Sequence, residues 1–113
     1  MIQAKFYRGG EGSLHMLLSG HAGAGPKGQD LVCAASSALA CTLGRAVERL
    51  YEQGMLRRVP KVELYEGGAE IIAVPKERFF REGAMVFWTV QNGIAELAEG
   101  FPGNVRLTET MKV

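Results

Sequence analysis

Two residues that could carry out nucleophilic catalysis, His21 and Cys33, lie twelve positions apart near the start of the chain. An imidazole can take the proton of a thiol, and the thiolate is the reactive form of cysteine. The segment between them, residues 22–29, holds three glycines and a proline, a composition that favours turns and loops. A loop of this kind could fold back and bring the imidazole beside the sulfur.

A predicted helix begins just before the cysteine. Asp30 is a favourable N-cap residue, and the residues from Leu31 to Tyr51 have helix composition, so Cys33 becomes the third helical residue. The first turn of a helix has unpaired N–H groups and favours negative charge, which suits a thiolate. Backbone amides around Cys33 and Ala34 are also candidates for binding the oxyanion of an acyl-transfer intermediate.

Several of these residues also have a purely structural explanation. Asp30 could cap the helix alone or also orient His21, and composition favours capping. Ser37, four residues after Cys33 on the same helix face, could donate a hydrogen bond near the thiolate or serve as a small packing residue. Without its flanking motif Cys33 would be interpreted as a buried, inert thiol, and Cys41 keeps that interpretation because no activating residue lies near it.

The composition limits the class of protein. A chain of 113 residues with 47% hydrophobic residues suffices for a single domain, which we assign to residues 1–113. The net charge of +1 provides no general attraction to nucleic acid, so no direct nucleic-acid partner is expected. The N-terminus lacks the pattern of a signal peptide, and no apolar run approaches the roughly 18 residues of a membrane span. We therefore expect a cytoplasmic protein with no membrane partner.

The same composition bears on thiol and metal chemistry. Cys33 and Cys41 lie eight positions apart on one predicted helix, too far for a disulfide, so both thiols should be reduced. A zinc site built from the two histidines and the two cysteines lacks the usual ligand spacing. No metal and no cofactor are expected.

The remaining pattern predicts the elements that must position the two catalytic candidates. Alternating apolar residues predict a hairpin from the first eight residues and residues 14–18, and a second hairpin from residues 61–66 and 69–74 around Gly67-Gly68. A second helix is predicted over 77–99 and a last strand over 105–109. The order ββαββαβ indicates an α+β fold in which a mixed or antiparallel sheet packs with two helices.

Apolar spacing also predicts which helix faces are buried. On the first helix the predicted stripe is Leu31, Ala35, Leu39, Leu43, Val47 and Leu50. On the second, the aromatic residues Phe79, Phe80, Phe87 and Trp88 are explained most simply as core or dimer contacts.

The residues around the two catalytic candidates resemble the ribosomal-processing cysteine protease family of bacteria. The resemblance rests on Gly20-His21-Ala22, Gly28, Asp30-Leu31-Val32-Cys33-Ala34-Ala35, Ser37-Ala38-Leu39 and the ending Phe101-Pro102-Gly103-Asn104-Val105. It implies a homodimeric cysteine endopeptidase that removes the N-terminal extension of a large-subunit ribosomal protein, number twenty-seven, before ribosome assembly. That protein is then the partner to expect.

The resemblance also implies roles for individual residues. His21 would be the general base and Cys33 the nucleophile, with Gly20, Asp30, Ala34 and Ser37 in supporting positions. Since the family cuts after an aromatic residue, the aromatic side chains of the second helix could also line a substrate pocket. The chain departs from the family pattern at Pro26 and at Ser36, where relatives usually carry an apolar residue.

Two other classes of function are compatible with the motif. One is a non-catalytic, ribosome-associated binding module that kept the fold. The other is a thiol redox or acyl-carrying protein, in which Cys33 would react with an alkylating reagent while peptides stay intact.

Overall fold

Five strands and two long helices build the protein in the computed structural model, which describes residues 1–26 and 30–113. The elements are β1 (Ile2–Arg8), β2 (Leu14–Ser19), α1 (Leu31–Glu52), β3 (Lys61–Tyr65), β4 (Gly68–Ala73), α2 (Phe80–Gly100) and β5 (Val105–Glu109). Short 3₁₀ turns occupy Gly10–Gly12 and Glu77–Phe79. The predicted order ββαββαβ is confirmed, and with it the α+β class.

The five strands form one mixed sheet in the order β3-β4-β2-β1-β5. All neighbouring pairs are antiparallel except β1 and β5, which run parallel. Along β1 the side chains of Ile2, Ala4 and Phe6 are buried and those of Gln3 and Lys5 are exposed. This alternation places the core on one face of the sheet, where the two helices cover it.

The buried face of α1 differs from the predicted stripe in its first half. Leu31 is 81% exposed, and Ala35 and Leu39 are only half-buried. The residues that face the core are Val32, Ser36, Ala40, Leu43, Gly44 and Val47. Small residues on this face let the helix approach the sheet closely: a Cβ added at Gly44 would lie 2.9 Å from the side chain of Val62. Apolar periodicity gives little weight to small residues such as these, so it predicted the wrong face for the first half of α1.

By length and composition alone, α1 is long and apolar enough to cross a membrane. Polar residues interrupt its apolar ones, so the sequence shows no continuous apolar run there. In this fold, however, Val32, Leu43 and Val47 belong to the same core as the sheet. A core helix of this kind meets the same two criteria.

One other sequence prediction is corrected by the structure. The tight turn of the second hairpin is Glu66-Gly67, one residue earlier than predicted, with Tyr65 paired to Gly68. Gly67 has the positive φ of +85° that such a turn requires. On α2, Phe87 is fully buried, as expected for a core contact, whereas Trp88 is 38% exposed, which leaves a dimer contact as its prediction.

Candidate active site

A cavity of about 910 Å³ opens between the start of α1 and the β3–β4 hairpin. Its floor includes Ile2, Leu18 and Ala69, which belong to the helix-covered face of the sheet. Its lining contains all of the site residues nominated from the sequence: Gly20, His21, Asp30, Cys33, Ala34 and Ser37. Gly28, which forms part of the sequence motif, lies outside the described residues.

The sulfur of Cys33 lies at the third residue of α1 and is half-buried. It accepts a hydrogen bond from the backbone N–H of Ala22, with 3.3 Å between nitrogen and sulfur. An amide directed at a sulfur stabilises the thiolate more than the thiol, since the anion is the better acceptor. The segment that follows β2 therefore contributes directly to the surroundings of the candidate nucleophile.

The carboxylate of Asp30 caps α1 with both of its oxygens engaged. Oδ1 accepts the N–H of Cys33 at 2.9 Å and Oδ2 accepts the N–H of Ala24 at 3.0 Å. These amide hydrogen bonds, that of Cys33 above all, hold the pKa of the Asp30 carboxyl below its usual value. Of the two roles considered for Asp30, capping is therefore the one that the structure displays, and it also fixes one end of the loop.

The two amides nominated as oxyanion donors already have acceptors. The N–H of Cys33 donates to the Asp30 side chain at 2.9 Å, and the N–H of Ala34 donates to the Asp30 carbonyl oxygen at 3.0 Å. The amide that points at the Cys33 sulfur is that of Ala22, which the sequence did not indicate.

The ring of His21 is exposed and lies over the turn between β3 and β4. A Cβ added at Gly67 would lie 3.3 Å from Nε2 of His21, so this glycine leaves room for the imidazole. The turn is tied to the strand end by the N–H of Gly20, which donates to the Gly67 carbonyl at 2.9 Å. Within residues 1–26 and 30–113, His21 and Cys33 line one cavity but share no hydrogen bond. Catalytic hydrogen bonds often tighten only when substrate binds.

Asn104 supports the site, and sequence reasoning assigned it no role. Its Nδ2 donates to the carbonyl oxygen of Ala22 at 2.9 Å, and its own carbonyl accepts the N–H of Ile2 at 2.9 Å. Ala22 is thus held on both sides, by Cys33 through its N–H and by Asn104 through its C=O. Asn104 lies 82 positions from Ala22, so no local pattern links the two residues. Its place in the Phe101–Val105 ending was the one sequence signal that could have pointed to it.

Gly20 is required by the backbone at the end of β2. It has a positive φ of +98°, and a Cβ at this position would lie only 2.2 Å from the carbonyl oxygen of Met1. No other residue type fits this geometry without a shift of the backbone. The glycine before the histidine therefore has a steric function.

The cavity lining also includes Ser36 and Cys41 of α1, beside Ser37. Ser37 is exposed there, whereas Ser36 is 1% exposed. Cys41, interpreted from the sequence as a buried thiol, is exposed instead, because it lies outside the face of α1 that packs on the sheet. In the described part of the chain, no group of three or more His, Cys, Asp or Glu side chains could hold a metal ion.

Comparisons with known proteins show what this chain resembles in sequence and in fold. The family model of the cysteine protease Prp matches residues 1–106. Crystal structures of the essential ribosomal processing protease Prp from S. aureus superpose with TM-scores of 0.74 and 0.66 at 23% and 22% identity. Each superposition covers 97% of the present chain and 100% of the S. aureus chain. The first S. aureus structure holds a covalently linked product peptide, and the second holds a substrate peptide.

A Streptococcus mutans protein of known structure shares 32% identity with this chain. It superposes with a TM-score of 0.69 over 99% of this chain and 96% of its own. A search of curated protein sequences finds no match.

Proposed function

The chain belongs to the family of the cysteine protease Prp, and from this premise we propose that it removes the N-terminal extension of large-subunit ribosomal protein number twenty-seven before ribosome assembly. Membership makes it a cysteine endopeptidase of the ribosomal-processing class. The observation that carries the proposal for this chain is the Ala22 amide directed at Cys33 Sγ in a cavity that His21 also lines.

Cys33 acts as the nucleophile in the proposed reaction. Its thiolate attacks the carbonyl carbon of the scissile peptide bond, and a tetrahedral intermediate with an S–C bond forms. His21 receives the thiol proton and passes it to the leaving nitrogen as the C–N bond breaks, which releases the amine product. The Ala22 N–H stabilises the sulfur anion before the attack.

Hydrolysis of the acyl-enzyme completes the cycle. His21 takes a proton from water, and the hydroxide attacks the thioester carbonyl. The S–C bond breaks, the His21 imidazolium returns its proton to the departing thiolate, and the second product leaves as a carboxylic acid that ionises in water. The reaction uses only groups that this chain and water provide.

The shape of the cavity supports an extended peptide as substrate. Leu64 and Tyr65, 46% and 55% exposed, form its hairpin side, and the first turns of α1 form the other. Apolar side chains in such a groove would be removed from water on binding, which provides a driving force of about 25 cal/mol per Å² of buried apolar surface. A flexible N-terminal extension could lie between these two walls.

The proposal includes a homodimer in the cytoplasm. Support for self-association comes from Met85 and Trp88, 40% and 38% exposed and one turn apart on the outer side of α2. Exposed Trp and Met side chains are typical of protein interfaces. Light scattering during size-exclusion chromatography should give twice the chain mass, and Trp88→Glu should shift the protein toward the monomer.

Cleavage of an extended ribosomal protein tests the proposed activity. The protein with its N-terminal extension is incubated with the purified enzyme, and mass spectrometry identifies the products. We expect two fragments with the wild type and none with Cys33→Ala, whereas Cys41→Ala, which removes the other thiol, should still cleave. Cleavage by Cys33→Ala at the wild-type rate would exclude this chemistry. Binding without cleavage by the wild type would favour the binding module, and Cys33 alkylation without cleavage would favour a thiol carrier.

A further inference from the structure

Strand β3 lies at one edge of the sheet, next to the cavity that Cys33 lines. Its neighbour in the strand order is β4, and across residues 1–26 and 30–113 no strand pairs with its outer side. An edge strand of this kind presents backbone N–H and C=O groups with which a further strand can pair. Leu64 and Tyr65, at the end of β3, also line the cavity, which makes the free edge continuous with it.

The register of the sheet shows which residues of β4 bond to β3. Gly20 donates its N–H to the Gly67 carbonyl at 2.9 Å. This bond continues the antiparallel register of β2 and β4, in which Leu18 lies opposite Ala69. Antiparallel strands exchange hydrogen bonds at every second residue. The odd-numbered residues of β4 therefore bond to β2, and the even-numbered residues bond to β3.

The same alternation determines which groups of β3 point outward. The residues opposite the even-numbered residues of β4 are Lys61, Glu63 and Tyr65. Val62 and Leu64 alternate with them, so their N–H and C=O groups point away from the sheet. These two donors and two acceptors match the backbone of one extended segment of about four residues. Pro60, directly before the strand, has no N–H and ends the row of donors.

Side-chain directions along β3 also suit a bound peptide. A Cβ added at Gly44 of α1 would lie 2.9 Å from the Val62 side chain, and Leu64 on the same face of β3 is 46% exposed and lines the cavity. A sixth strand would lie about 4.8 Å from β3 and would direct every second side chain to that face. Ser37 and Cys41, exposed on α1, line the opposite wall of the cavity. The other edge strand, β5, contributes no residue to the described lining.

We propose that the substrate binds as a sixth strand on the outer edge of β3, with its backbone hydrogen-bonded to Val62 and Leu64. The inference rests on the proposed function, since the occupant is the flexible extension that carries the scissile bond to Cys33. Such a segment has unpaired backbone groups along its whole length, and an edge strand binds these without requiring a particular side chain. His21 lies over Gly67 in the turn that follows β3, so a peptide that continues past the end of β3 enters the cavity beside the imidazole.

Amide hydrogen exchange measured by NMR tests the pairing directly. The protein is Cys33→Ala, which binds without cleaving, and the probe is a peptide of the ribosomal protein's N-terminal extension that spans the cleavage site. The amides of Val62 and Leu64 should exchange rapidly in the free protein and at least about 10-fold more slowly with saturating peptide. The Glu63 amide, which faces Glu70 in β4, is the internal control and should be protected in both samples.

The outcomes separate this inference from the proposed function. Protection of Val62 and Leu64 by the peptide supports the inference even if the wild type cleaves nothing, an outcome that would overturn the protease proposal alone. Cleavage by the wild type with both amides still unprotected at saturating peptide would overturn the inference alone. Protection of both amides before peptide is added would place a second copy of the chain on this edge and would also overturn the inference.

Two substitutions at one position give an independent measurement. Leu64→Ala and Leu64→Pro both remove the leucine side chain from the cavity, but only proline also removes the outward N–H. Proline is tolerated on an edge strand where the N–H side faces solvent, so both variants should fold. In a Cys33→Ala background, calorimetry should show about 2- to 10-fold weaker peptide binding with proline than with alanine, the range of one neutral hydrogen bond. Equal affinities would contradict the pairing, and if Leu64→Pro does not fold, the exchange measurement decides.

Discussion

The backbone N–H of Ala22 donates a hydrogen bond to Sγ of Cys33 over 3.3 Å. Because Ala22 directly follows His21, one short segment positions both the imidazole and an amide that stabilises the sulfur anion. Asn104 fixes the opposite side of the same residue through its carbonyl. The site is thus assembled from the end of β2, the start of α1 and the residue before β5.

Replacing Asn104 by Ala should reduce catalysis, because the Ala22 carbonyl loses its side-chain donor and the Ala22 amide is held less firmly against Cys33. Loss of one neutral hydrogen bond predicts a decrease in kcat of about 2- to 10-fold with a smaller change in KM. Steady-state kinetics on a peptide substrate provide the measurement. Thr108→Val is the control, since its hydroxyl bonds the Ala4 carbonyl on β1. A greater loss of kcat in the control than in Asn104→Ala would contradict this role.

His21→Ala should decrease the cleavage rate by about 10²- to 10⁴-fold, the usual contribution of a general acid–base group. The unfolding temperature should hardly change, because the ring is exposed.

The control variant His15→Gln should lower the unfolding temperature and leave the cleavage rate unchanged. His15 bonds Ser13 at 2.8 Å and stacks on Tyr7 with ring centroids 4.5 Å apart, so its loss should affect stability and spare cleavage. Equal cleavage rates for His21→Ala and the wild type would remove His21 from the mechanism.

Alanine at three glycines should destabilise the fold in a graded way. Gly20→Ala combines a positive φ of +98° with a clash at the Met1 carbonyl, so it should cost more than the roughly 1–3 kcal/mol typical of backbone strain alone. Gly23→Ala has only the positive φ, since no atom lies within 4 Å of the new Cβ. Gly103→Ala has neither problem. Urea unfolding should rank the losses Gly20, Gly23, Gly103, and a different order would refute the steric explanation.

The Asp30 cap predicts a specific dependence of stability on pH. Its pKa in the folded protein is lowered, so the carboxylate stabilises the fold fully above its unfolded pKa of about 3.9. That contribution is lost as the pH falls through the lower folded value, where the carboxyl takes up a proton. The difference in unfolding temperature between wild type and Asp30→Ala should therefore be constant from pH 7 to 5 and shrink below pH 4. A difference that stays constant down to pH 2 would contradict the charged cap.

The sequence predicted the elements more reliably than the details that assemble the site. The alternation of Ile2, Ala4 and Phe6 defines a strand unambiguously, because a shift by one residue would expose all three. The predicted turn, Gly67-Gly68, lies one residue after the observed turn, Glu66-Gly67. Either of two adjacent glycines can adopt the positive φ that Gly67 has, so the sequence does not distinguish the two positions. Apolar spacing placed Leu31 in the core, but its side chain is 81% exposed at the start of α1.

In the candidate site, too, the residues that are close in sequence were predicted and the distant contacts were not. His21, Asp30 and Cys33 are close in sequence, and local composition was enough to bring them together. Asn104 contacts Ala22 only because β5 pairs in parallel with β1, and the strand pairing of a chain is not encoded in local pattern. Among the residues that the structure describes, the buried Ser36 hydroxyl has no hydrogen-bond partner, a detail of how α1 packs that periodicity did not resolve.

The central claim is that Cys33 is activated by its surroundings, and the two thiols of the native chain provide the most direct test. Cys41 is exposed whereas Cys33 is half-buried, so accessibility alone favours Cys41. The protein is treated with iodoacetamide at neutral pH, and mass spectrometry follows both sites in native and in urea-unfolded samples. We predict faster alkylation of Cys33 in the native protein and similar rates once it is unfolded. A native rate at Cys41 equal to or above that at Cys33 would contradict the activation of Cys33.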